Sequence, residues 1–112
     1  MSAPTASSVA ELLAALVPDP DRPEGLDSAW HIAAFTEGDL ESGIWSATIG
    51  HWDETDYPVS EVIVMLSGHL RITEPDGTAT DLHRGDMYHF PKGWAGRWEV
   101  FEDMQKIYFV TG

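Results

Sequence analysis

From Trp30 onward the sequence is punctuated by turn residues about every eight to twelve positions, and this spacing constrains the fold more than any other feature. Between the turns stand short apolar or alternating runs: "WHIAAF", "GIWSATIG", "EVIVMLSG", "HLRIT", "TATDL", "DMYHF", "GRWEVF" and "QKIYFV". Strands that each bury one face give this pattern in sandwiches and barrels. "EPDG" at 74–77 offers Pro and Asp for the turn and Gly for a positive φ, and "HRGD" at 83–86 repeats the device, so both predict hairpins. There is no internal repeat and no low-complexity tract. The simplest architecture is all-β: one antiparallel jelly-roll barrel over residues 30–112.

Residues 1–29 read differently. In "SVAELLAALV", 8–17, Ser8 and Glu11 have the spacing of a capping box, and Val9, Leu12, Leu13 and Leu16 form one stripe, which predicts a short amphipathic helix. The following "PDPDRPEG" has three prolines and a glycine in eight residues and is expected to end the helix and act as a linker.

The chain has 112 residues, room for one domain, and its five Trp, three Tyr and four Phe supply a core without disulfides. The absence of cysteine excludes thiol nucleophiles and Cys-type metal sites and fits a reducing compartment. No basic residue precedes "LLAALV", which is too short for a signal core or a membrane span, so a cytoplasmic protein is expected. A formal charge of -13 repels nucleic acid and anionic membranes, and neither is expected as a partner.

Two glycine-anchored segments carry the most specific signal. Six residues separate Glu61 from Gly68 in "SEVIVMLSGHLRI", and five separate Gly85 from Pro91 in "GDMYHFPKG", which closes on Pro-x-Gly. In these spacings the sequence resembles the cupin superfamily of RmlC-like jelly rolls, over roughly residues 43–110. "SGIWSATIG", "YPVSEVIVMLSG", "PKGWAGRWEVFED" and "QKIY" are similar to the small DUF861 or cupin_3 group related to (S)-ureidoglycine aminohydrolase. The resemblance implies a site of three histidines and one carboxylate, which this sequence does not encode. Counted back from Glu61, the His-x-His pair falls on Thr55 and Tyr57 or on Glu54 and Asp56, and the later histidine falls on Gly96. Only Glu61 remains. The family form "YPVSE" favours Tyr57 and Thr55 facing the pocket.

Strand parity extends the site. An inward Glu61 brings Ile63 and Met65 with it, inward Gly96 brings Trp98 and Val100, and Lys106 shares a face with Tyr108. Lys106, which matches a lysine of the family's last strand, is the expected partner of Glu61, and these two with Tyr57 form the candidate catalytic or polar set. Trp98, Met65, Ile63, Trp94, His89, Tyr108 and Val100 are the candidate pocket walls, whereas Trp45 is expected to be core. Three carboxylates at Glu54, Asp56 and Glu61 would repel one another by about 4 kcal/mol per pair at ~4 Å and an effective dielectric of ~20. They could converge only around a divalent cation or on protonation, but Glu54 and Asp56 are expected to be solvated at a strand end beside Asp53, so no metal is expected. If one binds (Mn, Fe, Ni or Zn), Glu61 is its ligand with Glu54, Asp56 or His89. The sequence thus predicts a small homodimeric cupin that binds a small organic molecule in its barrel. The alternatives are an enzyme of hydrolase, isomerase or lyase type that uses Glu61 as ligand or acid/base, and a structural dimerisation module.

Overall fold

The alternating runs become strands, and the way two of them bend determines where the site lies. The computed structural model describes residues 5–112. Helix α1 spans Val9–Ala14, and β1 (Val17–Pro18), β2 (Ala29–Glu37), β3 (Leu40–Ala47), β4 (Gly50–Glu54), β5 (Ser60–Thr73), β6 (Ala79–Leu82), β7 (Met87–Phe90) and β8 (Gly96–Thr111) follow. Every strand pairing is antiparallel, and the whole is a jelly roll, as expected.

β5 and β8 run side by side through both halves of the barrel. On its other edge β8 takes β4 along Gly96–Val100 and β3 along Met104–Val110. β5 likewise takes β7 along Glu61–Val64 and β6 along Leu70–Thr73. The two long strands can serve both halves because they bend. The β5 register slips between Met65 and Leu70, and Gly68 sits there at φ +88°. A Cβ at Gly68 would collide with the Asp103 carbonyl oxygen and stand 2.6 Å from Met104 Cα, so only glycine lets the strands approach this closely. The bulge also shifts the inward parity: Glu61, Ile63 and Met65 point in before it, Leu70 and Ile72 after it.

The structure therefore corrects several expected boundaries. Gly68 does not end a strand: "EVIVMLSG" and "HLRIT" are one strand, as are "GRWEVF" and "QKIYFV". "GIWSATIG" is divided between β3 and β4 at Thr48–Ile49. "EPDG" does make the β5–β6 hairpin, with Gly77 at φ +90° and its N–H donating to the Glu74 carbonyl at 2.9 Å. "HRGD" does not close a hairpin: it is a corner that carries the chain from β6 to β7, which pair with opposite halves of β5.

At the N-terminal side, Ser8 caps α1, its Oγ accepting from the Glu11 N–H at 3.4 Å. The helix stops at Ala14, three residues short of the sequence boundary, because Val17 and Pro18 pair with His31 and Trp30 as β1. Leu26, the residue just after the proline-rich stretch, is buried in the core. α1 buries no residue fully and borders an apolar groove of about 820 Å³ against β2, β3 and β8, where Phe35, Leu40 and Phe109 remain exposed. No helix among the described residues is long and apolar enough to cross a membrane.

Candidate functional site

At one end of the barrel the inward faces of β3, β4, β5 and β8 leave a cavity of about 270 Å³. At its base is an ion pair. Glu61 and Lys106 are 4% and 5% exposed, and Lys106 Nζ donates to Glu61 Oε2 at 3.0 Å. The other Glu61 oxygen accepts from the Tyr57 hydroxyl. β8 places Lys106 between Trp45 on β3 and Met65 on β5, its registered partners. Its ammonium lies 4.8 Å from the Trp45 ring centroid and 4.6 Å from that of Trp98, so two aromatic faces share the cation with the carboxylate.

Tyr57 is not on a strand. The chain leaves β4 after Glu54, and the Tyr57 backbone is fixed by the loop after Pro91: its N–H donates to the Trp94 carbonyl at 2.9 Å and its carbonyl accepts from Gly93 at 2.8 Å. Burial, then the charges of Glu61 and Glu54, push the Tyr57 phenol far above its ordinary range. It therefore acts as a donor to Glu61. A second network crosses the wall, where the Tyr108 hydroxyl donates to Glu41 Oε2 at 2.8 Å and also meets His31 Nε2. Burial, reinforced by Glu41, raises the Tyr108 phenol likewise.

The structure brings five of the candidate residues, Glu61, Lys106, Tyr57, Trp98 and Tyr108, to one cavity. It places the other expected residues elsewhere. Ile63, Met65 and Val100 share the inward face but lie in the core rather than along the cavity. His89 is exposed, because it pairs with outward Val62 while neighbouring Phe90 pairs with inward Glu61, and its ring meets only the Ser60 hydroxyl at 3.1 Å. Trp94 packs edge-on against Phe90 and Tyr57 outside the lining. Thr55, which parity placed inward beside Tyr57, is exposed because bends replace the strand after Glu54.

Other lining residues were not expected. Trp45 is buried yet forms a wall, its indole N–H donating to Asp19 at 2.9 Å. Trp52, two residues before Glu54 on the same face of β4, donates to Glu54 at 3.1 Å, a relation that strand parity alone reveals. His31, Glu41 and Asp19 arrive through pairings of β1, β2 and β3 that no local pattern encodes.

The donor set does not fit the metal centre that the resemblance implies. Among the described residues no three His, Asp or Glu side chains converge as ligands. Both Glu61 oxygens are engaged, Asp56 is exposed in the loop, and Glu54 is held by Trp52. At Gly96 a Cβ would run into the Trp94 ring, so the space of the missing histidine is filled by an indole.

Comparison with known proteins agrees with this architecture. A DUF861-family protein of unknown function from Pseudomonas syringae pv. tomato aligns with a TM-score of 0.75 and 21% identity, over 86% of this chain and 44% of that one. The EutQ protein of Clostridium difficile aligns at 0.66 and 22%, over 75% and 62%. A DUF861-family protein from Thermotoga maritima shares 34% identity over 58% of this chain and 73% of its own, with a TM-score of 0.54. The chain thus spans less than two thirds of the Pseudomonas and Clostridium proteins. No curated protein matches it. The family described as the EutQ-like cupin domain matches residues 35–108, most of the barrel, and the chain belongs to that family.

Proposed function

We propose that the barrel cavity binds a small organic molecule without a metal, over a polar base made of Glu61, Lys106 and Tyr57. The observation that carries this reading is the buried Glu61–Lys106 pair at 3.0 Å at the base of an aromatic-walled cavity. Desolvating two charges is expensive, and an apolar pair would serve stability as well or better, so an ion pair at this place speaks for binding or chemistry rather than folding. Trp45, Trp52 and Trp98 enclose the space, as in a ligand site with a few convergent polar groups. The ammonium occupies one Glu61 oxygen, as a metal would in a cupin that has one.

Turnover is the second reading, favoured by the chain of contacts from Tyr57 through Glu61 to Lys106. In it Glu61 is the base that takes a proton from the ligand, and Tyr57 and Lys106 hold its carboxylate in place. The test is a ligand screen by tryptophan fluorescence on chelator-free protein, with elemental analysis in parallel. Metal well below one per chain, with ligands whose binding weakens at least tenfold in Tyr57→Phe, is expected. Stoichiometric metal lost on Glu61→Ala would overturn the metal-free reading. A ligand altered chemically by the wild type and left intact by Glu61→Gln would decide for an enzyme.

A further inference from the structure

The cavity has an unusual balance of charge. Apart from the Glu61–Lys106 pair, its lining holds Asp19, Asp21, Glu41 and Glu54, and the only other basic group is His31. On the outside of the barrel Asp81 has a cationic partner in Arg71 at 3.0 Å. In the cavity neutral donors hold the carboxylates: the Trp45 indole holds Asp19, the Trp52 indole holds Glu54 and the Tyr108 hydroxyl holds Glu41. His31 Nε2 lies 3.7 Å from Glu41. A neutral donor orients a carboxylate without cancelling its charge. The result is negative charge displayed around aromatic walls, with Trp52 stacked on Trp98 at 4.8 Å and Trp45 edge-on to Trp52 at 5.9 Å.

Trp98 adds an independent sign of an occupant. It is 1% exposed, lines the cavity, and its indole N–H has no partner. Buried donors are rarely left unpaired, and an acceptor atom that the ligand carries apart from its cationic group would satisfy this one.

Resting on the reading of this cavity as a binding site, we infer that its ligand is a small organic cation, an amine or quaternary ammonium that lies against the aromatic walls and is held by Asp19 and Glu54. Charge and aromatic faces favour an ammonium over a neutral or anionic molecule. The carboxylates do not converge as a metal site would require. The volume of about 270 Å³ equals roughly nine water molecules at ~30 Å³ each, which limits the ligand to about that many heavy atoms.

The experiment titrates the protein with tetramethylammonium, its neutral isostere neopentane-like tert-butanol, and anionic pivalate, at constant ionic strength set with KCl, reading tryptophan fluorescence. Saturable binding of tetramethylammonium, at least tenfold tighter than tert-butanol and with no response to pivalate, is expected. Glu54→Gln and Asp19→Asn keep an acceptor for each indole while removing charge, and each should weaken the cation severalfold with little change in thermal midpoint. Equal binding of cation and tert-butanol, or preference for pivalate, would overturn the inference while leaving the cavity a binding site. No response to any of the three probes up to 100 mM, a concentration on the order of that reached by the weakest fragments, would overturn both.

Discussion

Replacing Lys106 by methionine tests the centre of the site directly. The change keeps the length of the side chain and its apolar stem but strips the charge from a pair separated by 3.0 Å and almost wholly buried. At that distance the attraction is about 5.5 kcal/mol for an effective dielectric of ~20. Two aromatic contacts to the ammonium are lost as well, while Tyr57 continues to bond the carboxylate. Removing one partner of a buried pair destabilises by about 3–5 kcal/mol, because the other charge stays buried without compensation. Near 4 °C per kcal/mol, that is a fall of about 12–20 °C in Tm. Urea and thermal unfolding followed by tryptophan fluorescence will measure it. Glu61→Gln in the Lys106→Met background should recover at least half of the loss, since no unpaired charge then remains. A loss below about 1 kcal/mol, or a double variant whose cost equals the sum of the singles, would mean that Glu61 is not a buried carboxylate dependent on Lys106.

Two further outcomes follow from the geometry. Tyr57 and Tyr108 have phenols raised in the folded state, so their contribution is complete below pH ~10 and is lost as the pH rises further. Above that point the unfolded chain releases protons that the folded chain keeps, and stability should fall by about 1.4 kcal/mol per pH unit for each tyrosine. Urea midpoints between about pH 9 and pH 11.5 should show a shallower decline in Tyr57→Phe, and identical slopes would contradict the assignment. Gly68 and Gly77 both have positive φ, but a side chain at Gly77 meets nothing within 4 Å whereas one at Gly68 strikes β8. Gly77→Ala should cost about the 1–2 kcal/mol of the backbone conformation and Gly68→Ala clearly more, with equal thermal midpoints refuting the packing explanation.

The sequence was most legible where local chemistry decides the outcome. Glycine and proline spacing marked the barrel, Ser8 and Glu11 marked the start of α1, and parity placed Glu61, Lys106 and Tyr108 on inward faces. It failed where partners lie far apart in the chain. Nothing local says that Trp45 will stand beside Lys106 or that Asp19 will reach the Trp45 indole, because both depend on β3 pairing with β8 and β1 with β2. His89 misled because both its neighbours are aromatic, and only the register with Val62 turns it outward. Gly68 misled because a bulge inside a strand and a turn at its end call for the same residue.

The position of β8 bears on how the molecule is made. The strand that β3, β4 and β5 all pair with comes after every one of them in the chain. During synthesis the earlier strands must therefore wait with three open edges, each a template for pairing with another chain. Closure is long-range and slow for the same reason. Folding has to follow translation of β8, and until then the unpaired edges of β3, β4 and β5 are where nascent chains can pair with one another.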